Sequence, residues 1–178
     1  MSLGKGYIHI YTGGGKGKTT AALGLGLRAV GHGLRVCMVQ FLKSAASGEL
    51  ESVRSIGPNF SIHRFEKKRD FFWNLNAEEK AEVKLEVGSA FAFARQTMLE
   101  GGCDILILDE VLGALHNGLL ELEDLLELLR AKPAGLEIVL TGRNAPPELI
   151  AAADLVTEMN EIKHYYRQGV PSRDGIEK

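Results

Sequence analysis

One short segment of this sequence carries the residue types that bind phosphate groups. Residues 12–20 read Thr-Gly-Gly-Gly-Lys-Gly-Lys-Thr-Thr, between an apolar run at 7–11 and an alanine- and leucine-rich segment that starts near Lys18. Glycines let consecutive backbone N–H groups turn inward around an anion. A helix that follows adds its unpaired N–H groups and the positive end of its dipole. This strand, loop and helix context predicts a P-loop.

The P-loop prediction gives roles to the side chains of the segment. We expect Lys18 to reach the outer phosphates of a nucleotide and the Thr19 hydroxyl to bind magnesium. Thr12 stands where the motif usually has its first glycine. The alternative is a flexible glycine loop that binds no ligand. The expected nucleotide-binding residues of the loop are Gly13, Gly14, Gly15, Lys16, Gly17, Lys18, Thr19 and Thr20.

A pair of acidic residues gives a second signal. The apolar run 105–108 ends in Asp109 and Glu110, as a Walker B strand does. Because such a strand lies near the phosphate loop in P-loop proteins, one of its carboxylates can hold magnesium directly or through water. The alternative is that one acid only caps the next helix. The predicted metal-binding residues are therefore Thr19, Glu110 and Asp109.

Arg143 is a further candidate for phosphate binding. It follows the apolar run 137–140 at the carboxyl end of a predicted strand. Ligands of open α/β sheets bind outside this end of the strands. We therefore expect Arg143 to contact a phosphate, with a surface ion pair as the alternative.

The elements that must position these residues alternate along the chain. Short aliphatic runs predict strands, and the longer segments between them predict helices, notably from Lys18 to about Val30, after a capping box of Asn76 and Glu79, and around Leu125. This alternation favours an α/β fold, a single P-loop, RecA-like domain over residues 1–178 with helices on both faces of a mainly parallel sheet. Residues 160–178 are expected to form an irregular tail. The predicted strands, about six, lie at 7–11, 35–41, 60–65, 105–108, 137–140 and 155–158.

Composition excludes some classes of function. The 178 residues are 45% hydrophobic and 25% charged, with a net charge of -2, so a core can form and the basic excess of a nucleic-acid binder is absent. No apolar run approaches the ~20 residues that span a bilayer. Cys37 and Cys103 show no metal-ligand spacing and are expected to be buried thiols. A cytoplasmic protein without a nucleic-acid or membrane partner is predicted.

The wider sequence resembles the ATP:corrinoid adenosyltransferases, over nearly the whole chain. Besides the loop, the resemblance covers the motifs Arg28-Ala29, Gly31-His32-Gly33, Val39-Gln40-Phe41 with Lys43, Leu108-Asp109-Glu110, Leu140-Thr141-Gly142-Arg143, Lys163-His164, Gly169 and Gly175-Ile176-Glu177. It implies that ATP and a corrinoid are the substrates, and that Co(I) attacks the ribose C5′ while tripolyphosphate leaves. Lys18 would stabilise the leaving group, together with magnesium held by Thr19 and Glu110.

The resemblance also assigns a role to two aromatic residues. Phe71 and Trp73 have the Phe-x-Trp spacing with which the family is thought to displace the lower axial ligand of a Co(II) corrinoid. The sequence differs from the family at two places that bear on these roles. A charged run at 66–70 replaces the glycine-rich segment that usually precedes the aromatic pair, and Gly14 stands where the family commonly has Asn. The alternative for Phe71 and Trp73 is an aromatic cluster without a ligand.

Partners and rival functions complete the prediction. The resemblance implies a homodimer and a flavoprotein-type electron donor. A P-loop by itself is also compatible with a small-molecule kinase or ATPase, or with a non-catalytic nucleotide sensor. An ATP-dependent nucleic-acid binder is a weaker alternative, because single-strand binding requires a basic surface.

Overall fold

A computed structural model of the protein describes residues 3–70 and 72–177. Within them the chain forms one six-stranded sheet in the order β3-β2-β4-β5-β1-β6, and every neighbouring pair of strands is parallel. The α/β class and the parallel sheet of six strands are thereby confirmed. Each predicted strand agrees with the structure to within one residue at either end. The strands are β1 (Ile8–Thr12), β2 (Val36–Gln40), β3 (Phe60–Arg64), β4 (Ile105–Asp109), β5 (Glu137–Thr141) and β6 (Leu155–Glu158).

Six α-helices connect these strands. The capping box at Asn76 is present, because its side chain accepts from the Glu79 N–H and the Glu79 side chain accepts from the Asn76 N–H. Three helices were not predicted: α4 and α6 have only six residues, and α2 has nine but buries a single one, Val53, so none shows a clear periodicity. The helices are α1 (Lys18–Gly31), α2 (Gly48–Ile56), α3 (Ala77–Leu99), α4 (Val111–His116), α5 (Leu122–Arg130) and α6 (Pro147–Ala152), with 3₁₀ turns at Phe72–Asn74 and Tyr165–Gln168.

The core lies on both faces of the sheet, as predicted. Along β4, Leu106 and Leu108 pack on one side with residues of α3, α4, α5 and α6. Ile105 and Ile107 point to the other side, against α1 and α2. Since side chains alternate along a strand, a continuous apolar run is what a strand covered by helices on both faces requires.

The two cysteines lie in the hydrophobic core. Cys37 and Cys103 are free and buried, as expected. Burial raises the pKa of Cys37 to about 11 and that of Cys103 to about 12, so both remain thiols at neutral pH.

In the described ranges, no helix combines the length and the apolar character needed to cross a membrane.

The parallel arrangement brings the loops that follow β1, β2, β4 and β5 to one edge of the sheet. In the sheet order, β5 lies between β1 and β4. The phosphate loop and the acidic pair are therefore separated by one strand, whose last residue, Thr141, lies between them.

Candidate active site

The phosphate loop has a backbone that only glycine accommodates at its key positions. Gly13 has φ +100° and Gly17, the residue before α1, has φ +121°. A Cβ on Gly13 would lie 2.4 Å from the carbonyl oxygen of Met159, and the Gly15 N–H donates to that same oxygen at 2.7 Å. The loop is thus packed against the segment that follows β6. Thr12 is tolerated in place of the usual glycine because it is the last residue of β1 and adopts strand geometry.

Lys18 is buried at the centre of the loop. Its ammonium group donates to the carbonyl oxygens of Gly13 and Gly15, at 2.8 and 2.9 Å. Burial lowers the pKa of Lys18, while Glu110 raises it and Arg143 lowers it further. The side chain therefore lies folded along the loop, with its charge held against two carbonyl oxygens of the loop itself.

Asp109 is the most heavily hydrogen-bonded carboxylate of the site. It is completely buried, and four side chains of the described residues donate to it. Thr19 and Thr141 donate to Oδ1, at 2.8 and 2.7 Å. Gln40 and Lys43 donate to Oδ2, at 3.1 and 2.6 Å. Because both oxygens are occupied, Asp109 orients Thr19 and does not itself face the cavity.

Glu110, the residue after Asp109, is half-buried. It has φ 60°, in the left-handed region, and its N–H donates to the Thr141 hydroxyl at 2.9 Å. Its side chain lines the cavity beside the loop, whereas that of Asp109 does not. Burial raises the pKa of Glu110 and Asp109 adds to the effect, whereas Lys43, Lys18 and Arg143 oppose it.

The loop lines a cavity of about 730 Å³ at the carboxyl edge of the sheet. Gly13 and Asp109 are not among its lining residues, since Gly13 packs against Met159 and Asp109 lies behind Thr19. Arg143 lines the cavity and is exposed. The predicted residues that meet in this one cavity are Gly14, Gly15, Lys16, Gly17, Lys18, Thr19, Thr20, Glu110 and Arg143.

The oxygen donors of the cavity fit magnesium. Thr19 and Glu110 offer a hydroxyl and a carboxylate, and Mg²⁺ prefers oxygen ligands from one or two side chains with substrate phosphates completing the set. Residues 3–70 and 72–177 contain no group of three or more His, Cys, Asp and Glu that could hold a metal alone. The donor set therefore suits a magnesium ion that arrives with a nucleotide.

The C-terminal segment closes one side of the cavity. Lys16 Nζ donates to the carbonyl oxygen of Ile176 at 2.9 Å, and Glu161, His164 and Tyr166 also line the cavity. His164 Nδ1 accepts from the Tyr166 N–H at 3.0 Å, which leaves Nε2 as the donor of the neutral ring. His164 is therefore a cavity residue, which the sequence motif alone did not establish.

A second cavity, of about 450 Å³, lies at the same edge of the sheet and is lined by Trp73. The side chain of Trp73 is 73% exposed, and Phe72 and Leu75 line the cavity beside it. Phe71, the other member of the predicted aromatic pair, lies outside the described residues. The second cavity therefore has one apolar wall, formed by Phe72, Trp73 and Leu75, and charged residues line the rest of it.

The charged run before Trp73 is anchored to α3. Arg69 donates to Glu86 at 2.6 Å and also to Glu82. Further along, Asn74 donates to Asp70 at 2.9 Å. These bonds hold the chain in place before and after the aromatic segment.

The two cavities adjoin. Lys43, Glu49 and Glu177 line both of them. From the sequence, Lys43 is recognisable only as part of a family motif, and no role is predicted for Gln40, Glu49 or Thr141. The sequence indicates three of these residues in part. Gln40, Lys43 and Thr141 end or follow predicted strands, and the carboxyl ends of parallel strands meet at this edge of the sheet.

Comparisons with known proteins agree on one family. A family model described as ATP:corrinoid adenosyltransferase BtuR/CobO/CobP matches residues 4–177. A corrinoid adenosyltransferase of Pseudomonas aeruginosa is 37% identical over 174 residues, which are 97% of this chain and 84% of that protein. Corrinoid adenosyltransferases of Escherichia coli K12 and Salmonella typhimurium are 33% and 32% identical, each over 97% of this chain and 86% of their own length.

A solved structure shares the fold. The KaiC-like protein PH0186 of Pyrococcus horikoshii superimposes with a TM-score of 0.52 at 20% identity, over 90% of this chain and 75% of that one. At this identity the likeness concerns the architecture alone.

Proposed function

Because this chain belongs to the ATP:corrinoid adenosyltransferase family, we propose that residues 13–20 hold the triphosphate of ATP so that the ribose C5′ faces a bound corrinoid. As a member of that family the protein is a transferase that moves the adenosyl group from ATP to a corrinoid. In the proposed reaction, Co(I) of the corrinoid attacks C5′ and the C5′–O bond breaks. The electron pair of that bond leaves with the intact triphosphate.

One observation carries this proposal: the cavity lined by the phosphate loop adjoins the cavity lined by Trp73. Lys43, Glu49 and Glu177 form the boundary that the two cavities share. An adenosyl group can pass between two substrates only if they meet, and near-attack geometry requires the reacting atoms to lie ~3–3.5 Å apart. Two adjoining cavities, one for each substrate, support such a meeting of the two ligands at their shared boundary.

The residues of the loop would stabilise the leaving triphosphate. Lys18 lies among the loop glycines, and Lys16 and Arg143 line the same cavity. Fixed cations and N–H groups that face developing negative charge lower the barrier, because they need no reorganisation during the reaction. The nucleophile belongs to the corrinoid, so the chain's own contribution is binding, alignment and charge stabilisation.

Thr19 and Glu110 would hold magnesium, with Asp109 orienting Thr19. When bound, the ion would neutralise part of the triphosphate charge as a Lewis acid. The Thr19 hydroxyl donates a hydrogen bond to Asp109 at 2.8 Å, which fixes the orientation of the hydroxyl. Lys43 donates to the Thr19 oxygen at 3.3 Å, and the other lone pair of that oxygen would be the one offered to the ion.

Phe71 and Trp73 would contact the corrinoid on the face that carries the lower axial ligand of cobalt. Trp73 is largely exposed and lines the second cavity, so a large ligand in that cavity would contact its ring. Rings that occupy the place of the lower axial ligand would favour a four-coordinate cobalt, which is easier to reduce to Co(I).

Anaerobic incubation with ATP, magnesium and chemically reduced cobalamin tests the proposal. The expected products are adenosylcobalamin and tripolyphosphate, followed by absorbance and by ion chromatography. Lys18→Ala should abolish the reaction. Formation of ADP and phosphate without an adenosylated corrinoid would instead support a kinase or ATPase.

We also propose that the protein forms a homodimer, accepts electrons from a flavoprotein-type donor and acts in the cytoplasm. The family resemblance supports a homodimer and a flavoprotein-type electron donor. The two free thiols, Cys37 and Cys103, suit a reducing compartment, which supports a cytoplasmic location. Light scattering of the purified protein tests the dimer, and adenosylation of Co(II) cobalamin by a reduced flavoprotein tests the donor.

A further inference from the structure

Lys43 is a cation at the boundary of the two cavities. It follows β2, and it lines both the cavity of the phosphate loop and that of Trp73. Its ammonium group lies 2.6 Å from Asp109 Oδ2 and 3.3 Å from Thr19 Oγ1. The side chain is 26% exposed, so a ligand in the cavity can reach it.

This boundary is where charge develops in the proposed reaction. If C5′ faces the second cavity, then the phosphate nearest to that cavity is the α-phosphate, because it is joined to C5′ through one bridging oxygen. As cobalt forms its bond to C5′, the C5′–O bond breaks and its electron pair remains on that oxygen. The new negative charge therefore appears beside the corrinoid, at the end of the triphosphate away from the γ-phosphate.

We propose that Lys43 is a further catalytic residue, which donates a hydrogen bond from its ammonium group to the oxygen that leaves C5′. This inference rests on the function proposed above. Lys18 lies inside the phosphate loop and bonds to Gly13 and Gly15, whereas Lys43 approaches from β2 on the side of the corrinoid cavity. The two lysines would thus stabilise different parts of the triphosphate.

The hydrogen bonds of Lys43 leave capacity for a ligand. An ammonium group has three N–H donors, and within the described part of the chain Asp109 and Thr19 accept two of them. Asp109 also keeps Gln40, Thr19 and Thr141 as donors without Lys43. Without Lys43 both oxygens of that carboxylate keep a hydrogen bond but lose the cation paired with them, so Lys43→Arg, which keeps the charge, is the matched variant.

Kinetics of Lys43 variants with pre-reduced Co(I) cobalamin and saturating ATP and magnesium test this role. We expect Lys43→Met to lower kcat by about 100-fold or more, the usual effect of losing one donor to a developing oxyanion. The Kd of ATP with magnesium, measured by calorimetry, should change by less than about 10-fold, because the interaction strengthens in the transition state. Lys43→Arg should retain more activity than Lys43→Met, since it keeps the charge.

Chemical rescue separates catalysis from support of the structure. Propylammonium added to Lys43→Ala should raise kcat, because it restores a primary ammonium ion in the vacated space, whereas tetramethylammonium, which has no N–H donor, should not. Lys84→Met removes an exposed lysine of α3 and should leave kcat unchanged. Thermal unfolding shows whether each variant is folded, and Lys43→Met and Lys43→Arg remain informative if Lys43→Ala is not.

The outcomes are distinct. A kcat of Lys43→Met within about threefold of the unchanged protein overturns the catalytic role. So does a loss of kcat/KM that is matched by the loss of ATP affinity and not rescued by propylammonium, which would make Lys43 a binding or supporting residue. If the unchanged protein forms no adenosylcobalamin, the proposed function itself fails.

Discussion

The hydroxyl of Thr19 donates a hydrogen bond of 2.8 Å to the carboxylate of Asp109, 90 residues further along the chain. Asp109 is completely buried at the end of β4, and the same oxygen accepts from Thr141 of β5. The phosphate loop is therefore tied directly to the acidic strand, and the strand that lies between them adds a second donor to the same oxygen. This tie fixes the direction in which Thr19 can offer its oxygen to a ligand.

Thr19→Val tests that tie. Valine keeps the shape of threonine but loses the hydroxyl, so the affinity for ATP with magnesium should fall by about 10–100-fold, as measured by calorimetry. The free energy of unfolding should fall by only about 1 kcal/mol, because Asp109 retains three other donors. Thr19→Ser keeps the hydroxyl and should bind nearly as well as the unchanged protein. Equal affinities for the valine and serine variants would exclude the hydroxyl as a metal ligand.

Gly13 and Gly14 form a matched pair for the backbone of the loop. Gly13→Ala should lower the free energy of unfolding by about 1–3 kcal/mol, because Gly13 has φ +100° and a Cβ would approach Met159 O to 2.4 Å. Gly14→Ala should leave stability unchanged or raise it by up to about 1 kcal/mol, since a Cβ there has no neighbour within 4 Å. Urea unfolding of both variants measures the difference. Equal stabilities would contradict the described packing of the loop against Met159.

Trp73→Ala should separate the two oxidation states of the corrinoid. Adenosylation that starts from Co(II) cobalamin with an electron donor should fall by about 10-fold or more, whereas adenosylation of chemically prepared Co(I) should stay within about threefold. Leu85→Ala provides a control, because Leu85 is 74% exposed and Trp73 is 73% exposed. An equal loss from both oxidation states would mean that Trp73 serves binding alone.

The tail has a carboxylate that should titrate at unusually low pH. Arg173 and then Tyr165 hydrogen-bond to Glu177 and lower its pKa from the ordinary 4.5 to about 2. Because the pKa is lower in the folded state, the tail is stabilised above pH 4.5, and this stabilisation is lost as the pH falls toward 2. The carboxyl carbon of Glu177, followed by NMR, should titrate near the lower value. Arg173→Met should move the midpoint back toward 4.5, and an unchanged midpoint would show that the ion pair does not form.

Much of the fold was predictable because it depends on local patterns. Apolar runs of four to seven residues separated by helical segments gave all six strands within one residue, and the capping box at Asn76 gave the start of α3. The short helices α2, α4 and α6 were not predicted. They carry too few apolar residues for a periodic signal, and packing of those residues in the core stabilises them more than their own sequences do.

The sequence by itself determined the chemistry that the loop can support. Glycines, lysines and a threonine at fixed spacing between a strand and a helix specify a backbone that surrounds phosphate, because these properties belong to one continuous segment. The acidic pair after β4 was recognisable for the same reason.

Only the tertiary structure decided which side chains meet at that segment. Gln40, Lys43 and Thr141 converge on Asp109 because the sheet order places β2 on one side of β4 and β5 on the other. The order of strands in a parallel sheet is set by how helices pack on its faces, which no single strand encodes. The same packing brings Lys43 between the two cavities and the tail against the phosphate loop, and so decides which side chains surround both cavities.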